Sequence, residues 1–362
     1  MLPSLGAGGM EQLVIRLAAN AASHGDTVVV ASGPGVWVER VVQAGAAHVA
    51  LPVTSRHAPH GVMTAMARLT KCIRQVRPDV VHTHNIRATL LARLALLSAR
   101  HQAALMPTLH GLAPGDYRAA SRVLCLAGGG VIACAPAVAR SLKGAGFPAD
   151  RITVITNGAE LRPAGPRRQA DLRASLALGA APVVAGIGRL VPQKNWPVFI
   201  AAARRLPGPS YLIAGEGPLR QELADLAAVS GSGVRFVGLV DDVAALVGLA
   251  SCVVSTSSWE GLPLTLLEAL SLGVPVVATA VDGITDLVPP TAALLVPPGD
   301  TRAVAGAVSR VLSDGGLASE LRREALAAAA EWRPERMLAQ YRHAYRAAAA
   351  GEPYWGQDRP DP

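Results

Sequence analysis

The sequence predicts an α/β protein built from two doubly wound domains, and three observations carry that expectation. The chain has 362 residues, more than one ordinary hydrophobic core accommodates, so two domains of roughly 150 to 200 residues are expected. Short β-branched runs alternate with longer Ala/Leu-rich amphipathic stretches along nearly the whole length, the pattern of parallel strands joined by crossover helices. The alternation falls into two series, separated at 161–168 by Leu-Arg-Pro-Ala-Gly-Pro-Arg-Arg, which lacks periodicity and reads as a linker.

The first series places strands at 27–31, 48–51, 79–82, 104–109, 130–134 and 152–155. The second places them at 183–188, 210–214, 234–237, 252–255, 274–278 and 293–296. The expected division is a first domain at 1–160, a linker at 161–170, a second domain at 171–332, and a helix at 333–350 that returns to the first domain. Trp332-Arg333-Pro334 sets off that last helix, and the polar, Pro-rich tail at 351–362 is expected to fray. Only Met1 to Leu5 precede the first glycine turn, where a doubly wound domain opens on a full central strand. The expectation is a natural start upstream of Met1.

Composition excludes several classes. Apolar residues make up 51% and charged residues 17%, with a mean hydropathy of +0.32, which argues against disorder. No apolar run approaches the ~18–20 residues needed to span a bilayer, so a soluble body is expected. The opening MLPSLGAGG lacks the basic and long apolar stretches of a secretory signal, which makes the cytoplasm the expected compartment. Cys72, Cys125, Cys134 and Cys252 match neither metal-ligand nor disulfide spacing and are expected to be reduced and buried. The net charge of +8 is uneven, since residues 1–165 hold 16 Lys and Arg against 7 Asp and Glu, and the remainder hold 18 against 19. Any anionic partner or surface should therefore meet the first half. Lys71, Lys143 and Lys194 are the only lysines, so a lysine beside a glycine turn carries weight.

Four stretches could carry chemistry. Gly6-Ala-Gly8-Gly9 precedes a periodic helix, and its small residues let backbone N–H groups approach a phosphate or sugar, although a tight strand-to-helix turn explains the spacing equally well. Gly188-Arg189-Leu-Val-Pro-Gln-Lys194 sets two cations at the carboxyl end of a strand, where open α/β sheets bind ligands and where a pyrophosphate would suit an arginine fork and a lysine point charge. The bland reading is a solvated loop. Gly215-Glu216-Gly217-Pro218 forms a strand-to-helix turn, with Glu216 read as structural. The strongest signal is Ser257-Ser258-Trp259-Glu260 followed by Glu268, one carboxylate in a loop and the other two turns into an apolar helix, so that both can face one crevice. A carboxylate at Glu268 needs a hydrogen-bonding partner there, and the free N–H groups of Leu264 and Thr265 offer a phosphate site.

In this order the motifs resemble family 4 retaining glycosyltransferases of the GT-B fold, two Rossmann-like domains facing an interdomain cleft. The E-x7-E hallmark is matched by Glu260 and Glu268, and the run Gly273 to Ala278 also falls in family order. Val80-Val-His82-Thr-His84, Thr108-Leu-His110-Gly111 and Val154-Ile-Thr-Asn157-Gly158 extend the likeness to most of the chain. The resemblance implies a nucleotide-diphospho-sugar bound mainly by the C-terminal domain, transfer of a hexosyl group with retention, and no cofactor. It implies diphosphate contacts from Arg189 and Lys194, ribose contacts from Glu268 and sugar contacts from Glu260. Gly8 and Gly9 would approach the donor, and His110 would hydrogen-bond the sugar near the reacting carbon. Gly215 and backbone groups around Val237 to Leu239 would complete the donor pocket. No Asp-x-Asp metal motif is evident, so metal-independent transfer is expected, and Asp241-Asp242 reads as a helix cap.

Among the other histidines, His82 and His84 are read as facing alternately at a strand end, with at most one toward the ligand, and His24, His48, His57, His60, His101 and His343 as surface residues. The stretch 61–77 combines an apolar stripe with Arg68, Lys71, Arg74 and Arg77, which suits either the solvated side of a sheet-covering helix or peripheral attachment to an anionic membrane face. Arg118 and Arg122 suit an acceptor-side site equally. The acceptor is expected to be lipid-linked, a polysaccharide or a small molecule, and no nucleic acid is expected. Competing readings are a GT-B sugar-nucleotide epimerase and a catalytically impaired sugar-nucleotide-binding protein. Dinucleotide-dependent dehydrogenases fit worst, since neither glycine turn has their spacing.

Overall fold

The computed structural model describes residues 1–6, 8–52, 59–159 and 161–356, with the side chains of 59 and 60 left out. Ala7 of the glycine loop, His57, the side chain of His60 and the tail residues 357–362 therefore lie outside the described residues. The chain divides into two compact units, Met1–Asn157 with Glu335–Pro362, and Gly158–Pro334.

The first unit holds strands β1 (Val29–Ser32), β2 (Ala47–Ala50), β3 (Val80–Thr83), β4 (Ala104–Leu109), β5 (Val131–Ala133) and β6 (Ile152–Val154). All pair in parallel, β1 with β2 and then β3-β4-β5-β6. The opening residues join the two groups. Leu2 bridges to Ser32, the Met1 amine donates to the His82 carbonyl at 2.6 Å, and the His84 N–H donates to the Met1 carbonyl at 3.0 Å. With that segment counted, the order is the doubly wound one, whose direction of winding reverses beside it. Alternation along β4 divides the core. Leu105 faces a cluster with Leu69, Ile73 and Leu96, whereas Met106 faces Leu13, Leu17, Met337 and Tyr341.

The second unit holds β7 (Val183–Ile187), β8 (Ser210–Ala214), β9 (Arg235–Gly238), β10 (Cys252–Ser255), β11 (Val276–Thr279) and β12 (Leu294–Val296) in one parallel sheet of order β12-β11-β10-β7-β8-β9. Its winding reverses between β7 and β10, and the crevice outside their carboxyl ends is where such sheets bind ligands. The strands read as continuous apolar runs because helices cover both faces. Val184, Phe199 and Ile213 pack on one face, and Ala185, Leu266 and Leu270 on the other.

Three expectations need correction. The stretch 161–170 is not a free linker but part of the second unit. Ala164 is buried, the Leu161 N–H donates to Ser271 Oγ, and Pro166 opens the helix Pro166–Ser175, where its missing N–H costs nothing. The tail does not fray from Gly351, because Tyr354 is buried and its hydroxyl is shared between the carbonyls of Leu105 and Gly130. The Trp355 ring lies where a Cβ on Gly130 would be. Two aromatics in a short polar tail outweigh its prolines by the area they bury. Finally, Cys134 and Cys252 are buried as expected, but Cys125 is exposed.

Candidate functional site

Two glycine turns shape the floor of the crevice in the second unit. Gly215 sits at φ +138°, and a Cβ there would lie 2.0 Å from the Gly188 carbonyl oxygen. A Cβ on Gly217 would lie 2.4 Å from the Leu190 carbonyl. The turns are laced by Gly188 N–H to Ala214 O, Leu190 N–H to Glu216 O and Gly215 N–H to Gly238 O, at 2.7 to 2.9 Å. Glycine at Gly215 is thus required by both backbone conformation and close approach.

The loop after β7 then meets the loop after β10. Thr256 Oγ1 donates to the carbonyls of Lys194 and Asn195, the Ser258 N–H donates to Gln193 O at 2.9 Å, and Gln193 Nε2 donates to Trp259 O at 3.1 Å. From the third side, Thr279 Oγ1 at the end of β11 donates to Ser257 O at 2.6 Å, and a Cβ on Gly283 would lie 2.3 Å from the Glu260 carbonyl. These bonds hold the Lys194 and Glu260 side chains in place.

Lys194 Nζ donates to Glu260 Oε1 at 2.5 Å, with the two side chains only 16% and 5% exposed. Ser257 Oγ donates to the same oxygen at 2.6 Å, and Gln193 Nε2 to Oε2 at 3.3 Å. Glu260 therefore accepts three hydrogen bonds and keeps open lone-pair capacity on Oε2, while two of the three ammonium protons of Lys194 remain for a ligand. Arg189 lies in the same loop with its side chain exposed, and its carbonyl accepts from Trp196 Nε1 at 2.9 Å. Glu268, on the helix Leu264–Ser271, is only 6% exposed. At the start of that helix the Leu264 N–H donates to Leu262 O at 3.1 Å, so it is not free, which corrects the expectation for that group. Val237 packs on the cluster around Leu212 and Leu246, whereas Leu239 is exposed just beyond β9. Glu216 pairs with Arg220 at 3.6 Å, and Asp242 caps a helix by accepting from Ala245 N–H.

The first unit gathers a second polar group. His82 and His84 do not face alternately. Residues two apart on a strand share a face, and their ring centroids are 4.1 Å apart. His84 Nδ1 and His110 Nε2 are hydrogen-bonded at 3.1 Å, with the rings stacked. His82 is bonded through Nδ1 to Tyr345 OH and through Nε2 to Thr108 Oγ1, both at 2.7 Å. Burial lowers the pKa of His110 to about 4. It holds His82 and His84 well below the ordinary imidazole value, with nearby positive charges adding to the effect. All three rings are thus neutral at pH 7. Gly8 caps the helix Gly9–Ser23 in extended conformation, and Glu11 folds back so closely that a Cβ on Gly8 would lie 2.5 Å from its Oε2.

Sequence reasoning missed Ser257 and Gln193 as partners of Glu260, although both lie inside the motifs that drew attention. It also missed Tyr341 and Tyr345, whose four-residue spacing on the last helix was the available signal. Among the described residues no three His, Cys, Asp or Glu side chains are grouped to hold a metal ion.

The model for Glycosyltransferase Family 4 matches residues 7–162, and that for Glycosyl transferases group 1 matches residues 181–314. The 2-deoxystreptamine N-acetyl-D-glucosaminyltransferase of Streptomyces fradiae is 30% identical over 96% of this chain and 94% of its own. The UDP-Gal:alpha-D-GlcNAc-diphosphoundecaprenol alpha-1,3-galactosyltransferase of Escherichia coli is 26% identical over 61% of this chain and 62% of its own. The crystal structure of Anabaena HepE in complex with UDP and glucose superposes with a TM-score of 0.84 at 21% identity, over 96% of this chain and 99% of that one. The last likeness shows the GT-B architecture, and the relative matched along nearly its whole length settles the class among the three that the motifs allowed. The chain belongs to glycosyltransferase family 4, and the protein is a glycosyltransferase.

Proposed function

We propose that the enzyme transfers a hexosyl group from a nucleotide-diphospho-sugar to a small-molecule or lipid-linked acceptor, with retention of configuration and without a metal ion. The observation that carries this reading is the Lys194–Glu260 pair, clamped where the winding of the second sheet reverses. Anabaena HepE holding UDP and glucose, and relatives that act on 2-deoxystreptamine and on a diphosphoundecaprenol sugar, support the donor and the two acceptor classes.

In this reading the two unused ammonium protons of Lys194 and the free fork of Arg189 meet the diphosphate and stabilise the charge it gains as it leaves. Glu260 takes a sugar hydroxyl on its open lone pair, and Glu268 takes the ribose. The bond from the anomeric carbon to the phosphate oxygen breaks, the acceptor oxygen bonds to that carbon from the same face, and the acceptor proton passes to the departing phosphate. No protein base is needed. His110, its pKa lowered to about 4, is neutral and offers a hydrogen-bonding group rather than a cation.

The test is a thermal-shift screen of nucleoside diphosphates and their sugars, followed by turnover with small-molecule and lipid-linked acceptors in the presence of a chelator. A ligand at about 100 times its Kd should add about 2.7 kcal/mol of stability. Loss of turnover in chelator, restored by a divalent cation, would refute the metal-free mechanism. Epimerised donor in the absence of acceptor would refute transfer.

A further inference from the structure

Three helices of the first unit, Pro59–Val76, Ile86–Ala99 and Tyr117–Ala127, contain no aspartate or glutamate. They are packed side by side over the Leu105 face of the sheet, the middle one touching both others. Their outer surfaces carry Lys71 and Arg74, then Arg87 and Arg93, then Arg118 and Arg122, all exposed. None of these cations is ion-paired with a carboxylate among the described residues. The nearest acids in sequence, Asp79 and Asp116, lie in the adjoining turns.

The same surface exposes large apolar side chains that its own fold does not use. Leu90, Leu94 and Leu97 are 43%, 43% and 58% exposed. At spacings of four and three they form one stripe along the middle helix, with Arg87 and Arg93 flanking it on the helical wheel. Leu126 is 80% exposed on the third helix, and Val62 and Met63 are 51% and 70% exposed at the start of the first. Single exposed leucines are ordinary, but a stripe of them inside an acid-free cationic face is not. Nucleic acid would account for the cations and leave the leucines unexplained.

We infer that this three-helix face is a docking surface for an anionic lipid bilayer, with the leucine stripe entering the interface and the arginines and Lys71 meeting lipid phosphates. Positive charge draws the face to acidic lipid, and long basic side chains reach the headgroups while their stems lie along apolar surface. Docking is thus a property of an assembled face. The basic stripe at 61–77 is only one edge of it, and the leucines belong to the next helix. The inference does not depend on the donor chemistry proposed above.

The test is flotation of the full chain with vesicles of phosphatidylcholine alone or mixed equally with phosphatidylglycerol, at about 0.05 M and about 0.5 M salt. The expected result is binding to the mixed vesicles at low salt, reduced at high salt, with little binding to phosphatidylcholine. The triple variant Leu90→Ser, Leu94→Ser, Leu97→Ser should bind the mixed vesicles at least about tenfold more weakly, and Arg87→Gln with Arg93→Gln about fivefold or more. Both should keep the wild-type thermal shift with UDP, which separates this result from failure of the donor site. If the triple variant fails to fold, Leu94→Ser with the arginine variant decides. No binding at low salt, or binding indifferent to the leucines and matched by heparin, would overturn the inference.

Discussion

Glu260 is held as an acceptor before any substrate arrives, by an ammonium, a hydroxyl and an amide. Glu260→Gln should lower kcat by about 100-fold or more while nucleoside diphosphates still raise the melting temperature, because the ammonium of Lys194 is kept. Lys194→Met should weaken diphosphate binding and also destabilise the fold by about 3 kcal/mol, since it strands a mostly buried carboxylate. Denaturant titration would measure the second effect. The histidine group sets a pH dependence of stability. Its imidazoles are neutral when folded and protonate near the ordinary histidine value of about 6.5 when unfolded, so the unfolded state binds more protons as pH falls. Stability is full above about pH 6.5 and is lost progressively toward about 4, where His110 titrates in the fold. Urea unfolding at pH 7.5 and 5.5 should show the loss, and His110→Asn should shrink it. A flat profile would refute the neutral network.

The elements that build the crevice depend on backbone contact that no side chain can share. Gly215→Ala puts a methyl group into the Gly188 carbonyl at a φ that disfavours it, and should cost about 3 kcal/mol or more, a fall of about 10 °C in melting temperature. Nucleotide binding should weaken with it, because the turn is part of the floor. A melting curve unchanged from wild type would mean that the two turns are looser than the hydrogen bonds between them imply. The strands, the glycine turns and the acid pair were legible in the sequence, because each rests on local pattern. The hold of Gln193 on the Glu260 carboxylate was not, since it depends on residues 67 positions apart meeting at the ends of β7 and β10. The facing of His82 and His84 was legible from the two-residue period of a strand.

Across the whole chain, residues after Pro334 belong with the first 157, so the core of one unit is completed by a distant segment. Tyr341 is fully buried beside Met106 and Ile132, and Tyr354 closes the other end of the same cluster. Tyr354→Ala should destabilise that unit by about 3 to 5 kcal/mol, and Tyr354→Phe by about 1 to 2, with any nucleoside-diphosphate-induced shift retained in both. Calorimetry would separate these losses from any in the unit that carries Lys194. An equal effect on both units would show that their cores are not independent.

Hydrophobic periodicity and glycine spacing were enough to determine two wound α/β units, because these signals are local and each element must bury one face, and the motifs in their order carried the resemblance to the family. Tertiary structure alone decided that Lys194 and Glu260 are ion-paired, that three histidines share one neutral network, that the tail aromatics are core, and that three acid-free helices form a single surface. Each of these is set by which strand ends and helix faces the winding order brings together, and that order is written nowhere in a single stretch of chain.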